Sequence, residues 1–245
     1  MKDWLTDVLS RSTRELYENE EAMTYLLGRA VKERTLAEMG LGIWPWDVDN
    51  DAAPDPDFCE RHGVRGKPLG NRVVCPFWSP RGSLLGVECR AWEGRKGITR
   101  YLLPEAEWNP VFIGLTPAVM AKIWAGGAIW IVEGLFDLSA MEHIIPKGDV
   151  VLATVRAKLT DKHVEFLRRF AKGGVNMVYD NDEAGRHATH GWTDDTGKYR
   201  WGALDSLRRV EVECRAIPYR GGKDPGEIWD GSGELGLRTA FRAIL

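Results

Sequence analysis

The sequence predicts an α/β protein: an open, mostly parallel sheet with helices on both faces, preceded by a smaller α+β subdomain of basic character. Three observations predict it. From about residue 117, short apolar runs alternate with helical stretches. Upstream, residues 72–92 switch to a two-residue apolar period. Charge is also segregated: residues 61–100 hold nine basic and two acidic side chains, whereas residues 1–60 hold six and fourteen. A chain of 245 residues can bury a substantial core. The expected divisions are 1–116 (α+β, basic), 117–232 (the α/β sheet) and a C-terminal helix over 233–245.

In chain order, residues 13–39 have helical apolar spacing through Leu16, Met23, Tyr25, Leu26 and Leu27. Two helices are expected there, stopped by Gly28 and Gly40. The Pro-, Asp- and Gly-rich stretch 45–70 reads as an irregular connection. RVVCPFW (72–78) and SLLGVECRAW (83–92) read as strands joined by a Ser79-Pro80-Arg81-Gly82 turn, with a third short strand over Arg100–Leu103. AIWIVE (128–133), DVVLAT (149–154) and VNMVYD (175–180) read as buried strands. They are separated by helices over about 136–145 and from a Thr160 N-cap to Lys172, the latter stopped by Gly173-Gly174. A helix near 201–209 leads to VEVECRAIP, whose strict alternation marks a half-buried strand nearer the sheet edge.

Composition excludes several classes. Apolar residues at 44% and charged residues at 28% are ordinary for a globular domain. No apolar run reaches membrane-spanning length, and the acidic start lacks a signal core, so a cytoplasmic protein with no membrane association is expected. The four cysteines, at 59, 75, 89 and 214, form no CxxC pair, which argues against a disulfide framework and a zinc ribbon. Cys59 and His62 have a C-x-x-H spacing, but Cys75 and Cys89 lie in apolar strands and read as core residues. Eleven tryptophans are many for this length; most read as core or groove residues, a few as base-stacking ones. A net charge of −3 does not mark a nucleic-acid binder, yet the basic band can hold a phosphate backbone locally.

Three acidic clusters fall where strands run out. Glu133 follows IWIV, Asp180 and Asp182 follow VNMVY, and Asp224 follows the last strand in GGKDPGE. In open α/β sheets the ligand crevice lies outside the carboxyl ends of strands. Gathered there, the carboxylates would repel one another unless neutralised. An all-oxygen set suits magnesium or manganese, and two such ions can serve phosphoryl chemistry. Gly134 and Gly185 would allow close backbone approach after the carboxylates. Asp137 could face the metals or cap its own helix.

These motifs resemble a known family. IVEGLFDLSAM (131–141) looks like the EGxxD motif of TOPRIM domains, and YDNDEAGRHA (179–188) like their DxDxAGRxA motif. KDPGEIW (223–229) is similar to the KDPDE segment of DnaG-type primases. Upstream, YLLGRAVKERTLAEMGLGIWP (25–45), NRVVCPFWSPRGSLLGVECRAW (71–92) and TRYLLPEAEWNPVFIGL (99–115) resemble further blocks of that family, in the same order. The resemblance implies a Rossmann-like TOPRIM domain. It implies Glu133, Asp180 and Asp182 as catalytic metal ligands, with Asp137 and Asp224 in support. It places Arg72, Arg90, Arg100, Tyr101, Lys158 and Lys223 at nucleotide- or template-binding positions, with Trp78, Trp92 or Tyr101 available to stack bases.

The implied activity is that of a DNA primase core: short RNA primers made from NTPs on single-stranded DNA, with Mg2+ or Mn2+ in two sites and no zinc. The alternatives are a TOPRIM metal-dependent nuclease and an inactive single-strand-binding relative. Departures from the family pattern are Gly226 in place of a second Asp, Arg100 in place of Lys, and an insertion over 189–200. The family's zinc-binding and helicase-binding domains have no counterpart in the sequence, nor is there a GxxxxGK[ST] loop. The expected form is therefore a compact, phage- or mobile-element-like primase served by a separate helicase or template-reading protein.

Overall fold

The computed structural model describes residues 2–44, 72–91, 100–102, 112–154 and 158–242. The chain divides into two compact units, Met1–Glu107 and Trp108–Leu245. Cys59, His62 and Trp92 lie outside the described residues.

The first unit opens with α1 (Lys2–Glu18), α2 (Glu20–Gly28) and α3 (Glu33–Met39). Helix α1 begins well before residue 13, where the sequence reading starts its first helix. The buried stripe of α1 runs Val8, Ser12, Leu16, and the polar Ser12 interrupts its apolar spacing. Asn19 caps α2 by accepting from the Ala22 amide at 2.9 Å. Gly40 ends α3 in the left-handed region, φ 72°.

A four-stranded antiparallel sheet follows, in the order β1 (Gly42–Ile43), β2 (Arg72–Trp78), β3 (Leu84–Ala91), β4 (Arg100–Leu102). Strand β1 was not foreseen. A Cβ on its Gly42 would lie 2.4 Å from the Ser12 carbonyl carbon, so only glycine lets α1 pack this closely. Cys75 and Cys89 are fully buried, as expected of core residues. Trp78 donates its indole N–H to the Met39 carbonyl at 3.0 Å, which ties β2 to α3.

The second unit is the predicted parallel sheet, ordered β10-β7-β5-β6. Its strands are β5 (Ile129–Val132), β6 (Val150–Ala153), β7 (Val175–Met177) and β10 (Cys214–Ala216). The connecting helices are α4 (Pro117–Trp124), α5 (Leu135–Met141), α6 (Asp161–Phe170), α7 (Glu183–His190), α8 (Ala203–Arg209) and α9 (Pro225–Ala240). Ile129 and Ile131 enter a core with Met120, Phe166 and Leu207, from α4, α6 and α8. Trp130 and Val132 alternate with them and are equally buried on the other face, the side of α5 and α9. Both faces are thus covered, which explains strands that are apolar without alternation. Helix α9 is broken at Gly233 (φ 60°), so that a first segment runs from Pro225 and a second, over 234–240, lies where the C-terminal helix is expected.

The 189–200 segment, anticipated only as an insertion, is a small hairpin of β8 (Trp192–Thr193) and β9 (Tyr199–Arg200). No helix among the described residues is long and apolar enough to cross a membrane.

Candidate functional site

Strand order decides where the acids meet. The chain moves from β5 outward to β6, then crosses back to β7 and continues outward to β10. The reversal lies between β5 and β7, and such a switch point opens a crevice at the strand ends. Glu133 leaves the end of β5, and Asp180 follows β7 as its direct neighbour, since Ile131 pairs with Met177. The Asp180 amide donates to Glu133 Oε1 at 3.1 Å. Lys223 and Asp224 arrive from the loop after β10, which is pinned by the Asn181 amide donating to the Lys223 carbonyl at 2.6 Å.

Asp182 is the N-cap of α7 and accepts from the Gly185 amide at 2.8 Å. The glycine of this motif has a steric cause: a Cβ there would lie 2.0 Å from the Asp180 carbonyl oxygen. Gly134 is different. It caps α5 with φ −137° and ψ 174°, extended backbone that does not itself require glycine.

Asp137 is half-buried and both its oxygens are used. Oδ2 accepts from the Gly134 amide and Oδ1 from the Gly226 amide, each at 3.1 Å. It therefore caps its own helix and fastens α9 to α5. Gly226 packs so tightly that a Cβ would sit 3.2 Å from Asp137 Oδ1 and 3.3 Å from Asp224 Oδ1. Asp224 caps α9 by accepting from the Glu227 amide at 2.7 Å. Glu227, the acid nearest the missing second Asp, accepts from the Lys223 amide.

The electrostatics show one connected cluster. Burial raises the Glu133 pKa to about 7, with the Asp180 charge adding and the Asp180 amide opposing. Burial likewise lifts Asp137 to about 7, followed by the Asp224 charge. Asp180 is raised by burial, against the pull of Lys223. Asp182 alone is lowered, chiefly by the Gly185 amide. The Lys223 ammonium lies 2.9 Å from Asp180 Oδ2 and 3.3 Å from Asp182 Oδ2, so its single charge offsets the two carboxylates only in part. Among the described residues, no three acids close tightly enough to enclose an ion.

Tyr219, which the sequence reading missed, braces this arrangement. Its side chain is buried, and its hydroxyl lies 2.7 Å from the Lys223 carbonyl and 3.1 Å from the Tyr179 carbonyl, holding the β10 loop on β7. Nothing in the local pattern of Ile217-Pro218-Tyr219 marks it.

The upstream residues do not form one row. Arg72 pairs with Ala91 and Arg90 with Val73, so Arg72 and Arg90 leave opposite faces of the antiparallel sheet. Arg72 is buried, at 8% exposure, and Arg90 is half-buried. Arg100 pairs with Cys89 and Tyr101 with Glu88 in backbone register; their side chains fall outside the described residues. Lys158 is exposed and lies in the second unit.

Residues 130–228 match the Toprim-like family. The chain is 25% identical over 239 residues to a DNA primase of Deinococcus radiodurans, covering 90% of this chain and 39% of that protein. It is 27% identical over 249 residues to a DNA primase of Clostridium acetobutylicum, covering 94% and 39%. The chain thus spans about two-fifths of the length of these relatives. Among solved structures, the zinc-binding and RNA polymerase domains of Aquifex aeolicus primase superpose with a TM-score of 0.72 at 24% identity, over 99% of this chain and 62% of that one. The catalytic core of the E. coli primase gives 0.69 at 19% identity, over 99% and 79%. The primase fragment of the bacteriophage T7 primase-helicase gives 0.55 at 15%, over 88% and 72%. Over residues 130–228 the chain is therefore similar to the Toprim-like family, and it has the fold of a DnaG-type primase catalytic core.

Proposed function

We propose that this chain is a DNA primase core that joins NTPs into short primers on a single-stranded DNA template by metal-dependent nucleotidyl transfer. The observation that carries the reading is the convergence of Glu133, Asp180 and Asp182 with Lys223 at the switch point of a Toprim-like sheet. Likeness to relatives named DNA primase over 90% or more of the chain supports it.

The cluster fits hard divalent ions. Every donor is a carboxylate oxygen, the acids raise one another's proton affinity, and an ammonium already stands between Asp180 and Asp182. Glu133, Asp180 and Asp182 would hold Mg2+ or Mn2+, with Asp224 in support. Asp137 acts as a brace, since both of its oxygens are already bonded. Bound there, such ions would supply charge neutralisation for a triphosphate. The chain's own residues orient the reaction. The Asp180 amide fixes the Glu133 carboxylate, the first turn of α7 fixes Asp182, and Tyr219 fixes the loop that delivers Lys223. The Lys223 ammonium is positioned to pass from the carboxylates to a phosphate of the incoming nucleotide. Arg90, Arg100 and Lys158 remain the proposed contacts to template or nucleotide phosphates, and a separate helicase or template-reading protein the proposed partner.

A primer-synthesis assay on mixed-sequence single-stranded DNA, with Mg2+ or Mn2+ and all four NTPs, tests the reading. The expected result is short labelled RNA, abolished by Asp180→Ala in a protein that still melts cooperatively. Product from the Asp180→Ala protein refutes the assigned site. Metal-dependent degradation of labelled DNA without NTPs, and no primers, points to a nuclease instead.

A further inference from the structure

The β8–β9 hairpin is built rigidly and displays aromatic rings outward. Asp194 pins its turn: Oδ1 accepts from the Thr196 and Lys198 amides at 3.0 Å each, and Oδ2 from Arg200 Nε at 2.7 Å. Its base is equally tight, because a Cβ on Gly202 would lie 2.3 Å from the Gly191 amide nitrogen. Tyr199 donates its hydroxyl to Asp205 Oδ2 at 2.7 Å, which ties the hairpin to α8. On this frame Trp192, Tyr199 and Trp201 remain 37%, 47% and 52% exposed.

The rings border two adjoining cavities. One, of about 580 Å3, is walled by Lys158, Asp161, His187, Trp192, Tyr199 and Trp201. The other, of about 500 Å3, shares Tyr199 and Trp201 and adds Asp205, Arg208 and Arg209. The Trp192 ring lies nearly parallel to His187, 8° between planes and 5.1 Å between centroids. The Arg209 guanidinium sits over Trp201 at 5.3 Å. Apart from Arg200, which is paired with Asp194, the two linings carry three cationic side chains, Lys158, Arg208 and Arg209, against two acids, Asp161 and Asp205, in a chain whose net charge is −3.

We propose that this hairpin, with the adjoining flanks of α7 and α8, is a binding surface for single-stranded nucleic acid. Bases stack on Trp192, Tyr199 and Trp201, and phosphates meet Lys158, Arg208 and Arg209. Flat rings interleaved with cations suit a strand, because every base offers a π face and every linker a charge. Two cavities with a common aromatic wall take more than one nucleotide. The placement deepens the primase reading, on which its biological sense rests: Ala184, His187 and Ala188 of the larger cavity belong to the helix whose N-cap is Asp182. A strand passing the carboxylates would continue along that helix to the hairpin.

Binding is measured on the full chain in EDTA without NTPs, so that it is separate from synthesis. The probe is a short fluorescein-labelled oligothymidylate, with a 5-iodouracil version for photocrosslinking. The expected crosslinks fall on Trp192, Tyr199 or Trp201. The Trp192→Ala, Trp201→Ala pair should weaken binding by roughly tenfold or more, and the Phe pair should restore most of it. Losing Arg208 and Arg209 together should flatten the slope of log affinity against log salt by roughly 1.4. Crosslinks confined to other segments, or wild-type affinity in the Ala pair, overturn the proposal; if the Ala pair misfolds, the wild-type crosslinks decide. A hairpin that captures a folded protein and no oligonucleotide overturns it as well. Primer synthesis is assayed in parallel. Wild-type synthesis with oligonucleotide binding indifferent to the hairpin variants sinks this surface alone, whereas hairpin crosslinks without any synthesis sink the primase reading alone.

Discussion

Gly185→Ala tests the packing logic of the acidic crevice most directly. The added methyl would lie 2.0 Å from the Asp180 carbonyl oxygen and 2.8 Å from its carbonyl carbon, both of them backbone. Ordinary contact requires roughly 1 Å or more of separation to be regained, and a backbone neighbour cannot rotate away as a side chain would. Either α7 lifts from the end of β7 or the Asp180 peptide tilts. Overpacking of this kind costs about 1–3 kcal/mol. In a unit of this size that corresponds to a melting temperature lower by about 3–10 °C. Catalysis should suffer more than stability, because the shift falls between Asp180 and Asp182. A displacement of about 1 Å at reacting groups can cost on the order of 100-fold in rate. The assays are thermal unfolding by circular dichroism and primer synthesis at saturating Mg2+. Gly231→Ala is the control: it lies in α9, no atom comes within 4 Å of its added carbon, and its φ is unexceptional. The control should be neutral or stabilised by about 0.5–1 kcal/mol, the ordinary helix gain over glycine. A Gly185→Ala protein with wild-type melting and activity would refute the argument that glycine is required by contact.

Three further outcomes follow from the crevice. Folding raises the pKa of Glu133 and of Asp137 to about 7 each, above unfolded values near 4, so both groups bind a proton more tightly when folded. Their contribution to metal-free stability is fully present below about pH 4 and is lost as pH rises through about 7. Melts in EDTA should therefore weaken from pH 6 to 8, with Mg2+ restoring more at pH 8 than at pH 6; a flat pH response would count against the cluster. Lys223→Met removes an ammonium that is half exposed, so metal-free stability should fall by no more than about 1 kcal/mol. Calorimetric Mg2+ affinity should rise, because a competing cation is gone, and a weaker affinity would contradict that role. Gly226→Asp would insert a third carboxylate beside Asp137 and Asp224, and should cost about 1–3 kcal/mol in EDTA with partial rescue by Mg2+. Thermal melts with and without the ion decide it.

Periodic features were the legible part of this fold. The four parallel strands and their order of appearance follow from apolar runs separated by helical spacing, and the Thr160 cap sits where its hydroxyl accepts from the His163 amide. The acidic clusters of Glu133 and of Asp180 and Asp182 were also legible, because each follows a strand closely, whereas Asp224 comes eight residues after β10 and reaches the site through a loop. Features that depend on one long-range contact were not. Strand β1 is two residues long and exists because Gly42 admits α1. Lys223 reads as a ligand-binding cation, and only the loop held by Tyr219 reveals that it faces Asp180. Arg72 and Arg90 look alike in sequence, yet strand pairing sends them to opposite faces. Asp137 could be given two roles from its helical position, and the amide that occupies it comes from a residue 89 positions away.

The way α9 is fastened has a consequence for how the molecule assembles during synthesis. Gly226 and Lys223 emerge late, long after Asp137, Asp180 and Asp182 have been made. A nascent chain halted before residue 223 would hold an aspartate with one amide partner missing and a pair of carboxylates without their ammonium. Parallel pairing over such separations is slow to form. The crevice should therefore mature only as residues 219–226 dock, and a protease nick between Tyr219 and Pro225 should loosen it while leaving the central strands paired.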